Sequence, residues 1–158
     1  MRPLTYVCGT AFFSLVASAC AASGRAHGPS GNPCDRGLVG QADVAGIMTS
    51  PVAKMEALDG DPQSCVFSNA LHDRLTVMVR PGLGDLTVSS WETGQMNGSA
   101  TPMPGVGDRA VWQDTLNEVI ATKNDVLCDI SITGSPGTAA PQAKKRLGDL
   151  CNTIFSRL

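Results

Sequence analysis

The sequence predicts an α+β fold in which helices cover one face of an antiparallel sheet. Two observations indicate this class. The hydrophobic pattern changes several times between the two-residue period of strands and the 3.6-residue period of helices, and short turn clusters separate the strands. The elements follow in the order helix, three strands, helix, three strands, helix, and strands joined by short turns pair antiparallel. This order also allows two similar halves.

The first half begins with a short helix at 38–48, in which Val44 and Ile47 share one apolar face. Three strands follow, and the third alternates apolar with polar side chains most regularly. A second helix is predicted at 83–96, although its β-branched residues would also suit a strand. The three predicted strands are 53–58, 64–69 and 74–80.

The second half has the clearer pattern. Strands at 108–113 and 116–122 lead through a Lys-Asn-Asp turn into a third strand, 126–132, whose alternation is strict. After a Ser-Pro-Gly break, Thr138 can cap a terminal helix that runs to Leu158. The apolar stripe of this helix consists of Ala143, Leu147, Leu150, Cys151, Ile154 and Leu158.

Residues 1–19 have the layout of an export signal. Arg2 is the only charge before an apolar stretch that ends in the small residues Ala17, Ser18 and Ala19. The apolar part is short against the roughly 20 residues that span a hydrocarbon core, so cleavage is favoured over an uncleaved anchor.

Two peptidases could cleave this signal. Cys20 stands where the lipidated cysteine of a bacterial lipobox would stand, whereas ordinary signal peptidase would release an unmodified chain. Lipidation leaves an even set of four cysteines that can pair, whereas plain secretion leaves five. We therefore predict a signal peptide at 1–19, a lipid anchor and flexible tether at 20–33, and one globular α+β domain at 34–158.

This organisation predicts a protein of the cell envelope that is attached to the membrane through lipid on Cys20. If Cys20 is not lipidated, the alternative is a soluble protein that is periplasmic or secreted.

The four remaining cysteines predict two disulfides. Cys128 lies on the apolar face of its strand, and Cys151 lies on the stripe of the helix expected to cover that strand, so we pair these two. Cys34 and Cys65 then form the second pair. Four cysteines allow two other connectivities, which the sequence does not exclude.

Several segments resemble a known family. They are Cys34 with the helix after it, Cys65 with Val66-Phe67, the stretch Gly105-Val106-Gly107-Asp108-Arg109-Ala110-Val111-Trp112, the hairpin at 123–125 and the closing helix. Over most of 34–158 the chain resembles small bacterial envelope lipoproteins of an exported domain family of unknown function. The resemblance implies an envelope location and an α+β fold, and it implies no catalytic residue.

Composition and spacing exclude several function classes. Twelve basic residues against fourteen acidic ones give no basic footprint for nucleic acid. The four cysteines lack the close spacing of a metal site, and no cofactor motif is complete, so we predict neither a metal nor a cofactor. His72 lies beside Asp73 in a predicted turn, and such a turn cannot align a Ser-His-Asp triad with Ser68.

Two short peptides, Pro81-Gly82-Leu83-Gly84-Asp85 and Pro104-Gly105-Val106-Gly107-Asp108, look like an internal repeat. They also resemble fragments of phosphate-binding loops. Neither continues into a Gly-Lys-Ser sequence, so both are predicted to be tight turns.

The favoured function is therefore binding of another protein or an envelope component by a non-enzymatic, lipid-anchored protein, with an inhibitor or immunity-type role as one form. Trp91, Trp112 and the loop 95–105 are the candidate contacts, because tryptophans often anchor interfaces, although both could equally be core residues. A carrier of a small apolar ligand is the alternative. A hydrolase is less favoured, and it would use two of the carboxylates Asp108, Asp114, Glu118 and Asp129.

Overall fold

A computed structural model describes residues 31–96, 100–134 and 140–158 of the chain. The predicted signal peptide, Cys20 and most of the tether lie outside these residues. The described helices are α1 (Gln41–Val44), α2 (Gly84–Glu92) and α3 (Ala140–Ser156). The described strands are β1 (Val52–Leu58), β2 (Asp61–Asn69), β3 (Arg74–Pro81), β4 (Ala100–Pro102), β5 (Arg109–Gln113), β6 (Glu118–Lys123) and β7 (Val126–Thr133).

The seven described strands form one antiparallel sheet in the order β1-β2-β3-β7-β6-β5-β4. Two meanders, β1–β3 and β5–β7, meet in the middle of this sheet. There β3 pairs with β7 along its whole length, from Arg74 opposite Thr133 to Pro81 opposite Val126. The predicted α+β class and antiparallel sheet are confirmed.

Each face of the sheet carries its own core. On the first face, α3 and the α1 segment pack on the strands to form the main core, which includes Phe67, Val77 and Ile130. On the second face, α2 buries Val88 and Trp91 against Val111, Ile120 and Leu127. The helices therefore cover both faces of the sheet, which corrects the expectation that they cover only one.

The sequence of β6 explains why a helix lies on each side of the second meander. Val119, Ile120 and Ala121 are consecutive, so their side chains alternate between the two faces, and all three are fully buried. A strand buried on both faces has a continuous apolar run rather than alternation. This run was a signal for the second layer that the sequence analysis did not use.

The two halves are similar in their strands but not in their helices. Each meander is followed by a helix, yet α2 and α3 both pack on the second meander, from opposite sides. Among the described residues no helix packs extensively on the second face of β1–β3, where Met78 of β3 alone contacts the cluster that α2 forms. The predicted similarity of the halves therefore extends only to strand order.

Two predicted helices are shorter in the structure. The helix predicted at 38–48 is reduced to α1, because Ala45 leaves the helical conformation and Gly46 turns to a φ of 76°. The helix predicted at 83–96 ends as α2 at Glu92, and Gly94 follows at a φ of 71°. Sequence analysis missed β4, which lies in the predicted loop 95–105.

The predicted disulfide pairing is confirmed: Cys34 bonds to Cys65 and Cys128 bonds to Cys151, each with a Cα separation of 5.9 Å. The first ties the segment before α1 to β2, and the second ties α3 to β7. Loops of 31 and 23 residues are closed. In the chain-entropy description each closure stabilises the fold by roughly 3–4 kcal/mol.

Among the described helices none has the length and apolarity that crossing a membrane requires.

Candidate functional site

The second face of β1–β3 and the adjoining end of β7 form a surface without a helix over it, which we call the open face. Cross-strand pairing sets its side chains in rows, one of which runs from Lys54 through Ser68 and Arg74 to Thr133. Most side chains of this face are exposed or half-buried, but Ser64 and Val66 of β2 also point to it and are buried. The open face consists of Lys54, Glu56, Ser68, Arg74, Thr76, Ser131 and Thr133.

The charges on and beside the open face are balanced. Lys54 Nζ lies 2.6 Å from Glu56 Oε2 on the same strand, and Arg80 Nη2 lies 2.6 Å from Asp61 Oδ2. Burial raises the pKa of Asp61, but hydrogen bonds from Ser64, the Gln63 amide and Arg80 outweigh it and lower that pKa overall. The surface therefore has no strong single-sign field that would select a polyanion.

A carboxyl pair marks the border between the open face and the part of the sheet that α2 covers. Asp129 on β7 and Glu118 on β6 point to the second face from neighbouring strands and hydrogen-bond to each other. Burial, followed by the charge and hydrogen bond of Glu118, raises the pKa of Asp129 well above its usual range, while Arg80 lowers it in part. Burial and the neighbouring Glu118 therefore both favour the protonated form of Asp129.

The other two carboxylates of the hydrolase alternative lie elsewhere. Asp108 Oδ2 accepts a hydrogen bond of 2.8 Å from the amide of Asn124, and Asp114 Oδ1 accepts one from Trp112 Nε1. Each holds a turn or a side chain in place. A directly hydrogen-bonded pair such as Asp129 and Glu118 is also closer than the roughly 5 Å that retaining glycosidases place between their two carboxyl groups.

Both predicted contact tryptophans are buried. Trp112 is 2% exposed in the main core, and Trp91 is 8% exposed on the side of α2 that faces the sheet. In this conformation both indoles pack in the interior, where a partner would not reach them. The described part of the loop 95–105 does reach the surface, where Pro102 to Val106 line a cleft of about 330 Å³ with Arg109 and Glu92.

The two Pro-Gly-x-Gly-Asp peptides converge on the β6–β7 turn. A Cβ on Gly84 would lie 2.2 Å from Thr122 Oγ1, and one on Gly107 would lie 2.4 Å from Thr122 O. Asp85 N donates to Asp125 Oδ1 at 3.2 Å, and Asp108 N donates to Thr122 O at 2.8 Å. Glycine is required at both places because the backbone approaches so closely. The repeat thus clamps one turn from both sides, as tight turns rather than phosphate loops.

The turn between β2 and β3 holds a polar network that sequence reasoning missed. Asn69 Nδ2 donates to Asp73 Oδ2 at 2.9 Å, and Thr49 Oγ1 donates to the same oxygen. The Asp73 carboxylate is therefore engaged by Asn69 and Thr49, as expected of a structural turn. An Asn followed four residues later by an Asp across a turn was the available signal.

The described surface has clefts whose walls include residues of the main core. One of about 510 Å³ is lined by α1 and the segment that leads to β1, including Met48 and Val52. The carrier alternative expects a cavity between sheet and helices, where the structure instead packs fully buried side chains such as Leu147, Ile130 and Val88. The parts of the chain that the structure describes contain no cluster of three or more His, Cys, Asp or Glu suited to a metal.

Comparisons with known proteins give no match: no family model, no curated protein and no solved structure is similar to this chain.

Proposed function

We propose that the protein is a non-enzymatic, lipid-anchored protein of the cell envelope that binds another protein through its open face. The observation that carries the proposal is the uneven cover of the sheet. Helix α2 protects the second face of β4–β7, while in the described residues the same face of β1–β3 meets the α2 cluster only at Met78. An antiparallel sheet can leave one face in water, and such a face is available for recognition.

The chemistry of the open face suits a folded protein partner. Glu56 offsets one of its two cations, Lys54 and Arg74, and hydroxyl side chains fill most positions between them. Protein interfaces combine such polar rims with a smaller apolar centre, which half-buried Met78 can supply here. Inhibition of an envelope enzyme or immunity against one is a specific form of this binding.

Anchoring rests on the amino-terminal sequence. A lipidated Cys20 followed by the small and polar residues 21–33 would hold the domain within roughly 20 Å of the membrane and let it rotate. Two disulfides in the folded domain agree with an oxidising compartment outside the cytoplasm.

Intact mass tests the anchor. The processed wild-type protein should carry a diacylglyceryl modification on Cys20 and fractionate with membranes, whereas the Cys20→Ala variant should lack both properties. An unmodified mass for the wild-type protein would contradict the anchor and leave the soluble alternative.

Affinity capture tests the binding surface. The tagged full chain is recovered from crosslinked, solubilised envelopes as wild type, as Arg74→Glu on the open face, and as Lys123→Glu, an exposed cation on the first face. We expect one protein at near-equal amounts with the wild type and Lys123→Glu, and at least about a tenfold loss, or 1.4 kcal/mol, with Arg74→Glu. Equal recovery by all three chains, or no recovery, would contradict the proposal.

A further inference from the structure

The two edges of the sheet differ in how they resist pairing with another strand. At one edge, β4 has three residues and ends in Pro102, which cannot donate a backbone hydrogen bond. At the other edge, β1 has seven residues, contains no proline, and exposes every residue from Ala53 to Ala57. Since edge strands carry unpaired backbone N–H and C=O groups, β1 is the edge open to another chain.

The side chains of β1 are arranged symmetrically about Met55. Lys54 and Glu56 flank it and point to the second face, where they form an ion pair at 2.6 Å. Met55 points to the first face and is 42% exposed. Reversing the strand direction exchanges the lysine with the glutamate and leaves the methionine in place.

We propose that two copies of this chain associate by antiparallel pairing of their β1 strands about a two-fold axis at Met55. In that register Lys54 of each copy lies opposite Glu56 of the other, and the two Met55 side chains lie opposite each other. Opposite charges in directly facing positions stabilise a strand pair. The contact is isologous and closes after two copies.

The charges also select this register and this partner. An axis at Lys54 would place two lysines opposite each other, and an axis at Glu56 would place two glutamates opposite each other, both of which are unfavourable. A lysine on an edge strand usually discourages pairing with foreign strands. A second copy of β1 is the strand that supplies the matching glutamate. This association uses the free edge of β1, and it shares only Lys54 and Glu56 with the open face that binds the proposed partner.

Cysteine crosslinking tests the pairing in the full chain, produced with its own export segment in the envelope. Directly opposed residues of antiparallel strands have Cα atoms about 4.5–5.5 Å apart, within reach of a disulfide. Mild oxidation of Met55→Cys should therefore give a species of twice the mass, in which the introduced thiols of the two copies are linked to each other. The matched control is Ala57→Cys on the same exposed strand, whose two copies would be about 13 Å apart. We expect at least about tenfold less dimer from Ala57→Cys and from the wild type.

Charge exchange then tests the register. In the Met55→Cys chain, Lys54→Glu places glutamates opposite each other and should lower the dimer yield severalfold, whereas the swap Lys54→Glu with Glu56→Lys should restore it. Lys54 and Glu56 are exposed, so the variants are expected to fold. The amount of each variant in the membrane fraction confirms that all are produced equally. A dimer yield from Met55→Cys no greater than from Ala57→Cys, crosslinking only to a different protein, or a swap that fails to restore the yield would overturn the proposal.

Discussion

The sheet has an enclosed half, β4–β7, and an open half, β1–β3, built from equivalent antiparallel meanders. In β6 three consecutive residues, Val119 to Ala121, are fully buried because a helix packs on each face. In β1 five consecutive residues, Ala53 to Ala57, are exposed. The difference shows that one strand arrangement can be enclosed in one half and exposed in the other, and we propose that the exposed half is the one used for recognition.

The border between the halves lies along the β3–β7 pairing, where Asp129 of β7 hydrogen-bonds to Glu118 of the next strand, β6, on the second face. Burial disfavours the charged carboxylate there and is the largest cause of the raised pKa of Asp129.

Truncation of a side chain should show the largest difference in stability between the enclosed half and the open half. Ile120 is 1% exposed between β6 and α2, so Ile120→Ala should lower the free energy of unfolding by about 2–5 kcal/mol. Met55→Ala in the open half should change it by less than about 0.5 kcal/mol. Urea unfolding of the two variants measures both changes in the free energy of unfolding. Equal losses of stability would contradict the division of the sheet into an enclosed and an open half.

Filling the clamp around the β6–β7 turn should have the next largest effect. At Gly107, with a φ of 56°, a new Cβ would lie 2.4 Å from Thr122 O and 2.9 Å from the Phe155 ring. Gly107→Ala should therefore cost about 2–4 kcal/mol. Gly105→Ala is the matched control, since its φ of 84° is also left-handed but its Cβ would meet no atom within 4 Å. It should cost only about 1 kcal/mol. Thermal unfolding of the two variants measures both losses. Equal losses of stability would contradict the close approach of Gly107 to the β6–β7 turn.

The carboxyl pair predicts a pH dependence of smaller size. Because the folded-state pKa of Asp129 is raised, the native state binds this proton more tightly than the unfolded state. The resulting stability is full below the ordinary Asp value of 3.8 and is lost as pH rises through the folded pKa. Asp129→Asn, which keeps a donor for Glu118, should flatten this decline and be more stable than wild type at neutral pH. Asp59→Asn at the β1–β2 turn should keep the wild-type slope, and a wild-type slope in Asp129→Asn would refute the assignment.

Changes on the open face should affect stability least. Arg74 is exposed, so Arg74→Glu should change the free energy of unfolding by less than about 0.5 kcal/mol, although we expect it to lower capture of the proposed partner at least about tenfold. Differential scanning calorimetry beside the capture assay checks this, and a large drop in melting temperature would mean that lost capture reflects unfolding.

Local patterns predicted much of the fold, because each depends on few residues. Alternation located β7, the apolar stripe located α3, and placing Cys128 and Cys151 on facing surfaces gave the observed disulfides. The second layer was missed because α2 packs on Val111 and Ile120 through long-range contacts, and because the one local signal for it, the continuous apolar run of β6, was not used. β4 was missed because a three-residue strand that ends in proline has the composition of a loop.

The candidate site was less predictable, because it too depends on long-range packing. Glu118 and Asp129 were among four candidate carboxylates, but only the register of β6 with β7 determines which two meet. Trp91 and Trp112 attracted attention by residue type, whereas their burial depends on where the helices pack. The open face consists of ordinary polar residues, and it becomes a surface only because none of the described helices covers it.

Site-specific photocrosslinking in the intact envelope tests the central claim, that the open face is the recognition surface, most directly. A photoreactive side chain replaces Thr133 on the open face in one chain and Leu86 in another, where Leu86 is 69% exposed on α2. The account predicts a single adduct with another protein from position 133 and none from position 86. An adduct from position 86 alone, or none from either position, would contradict it.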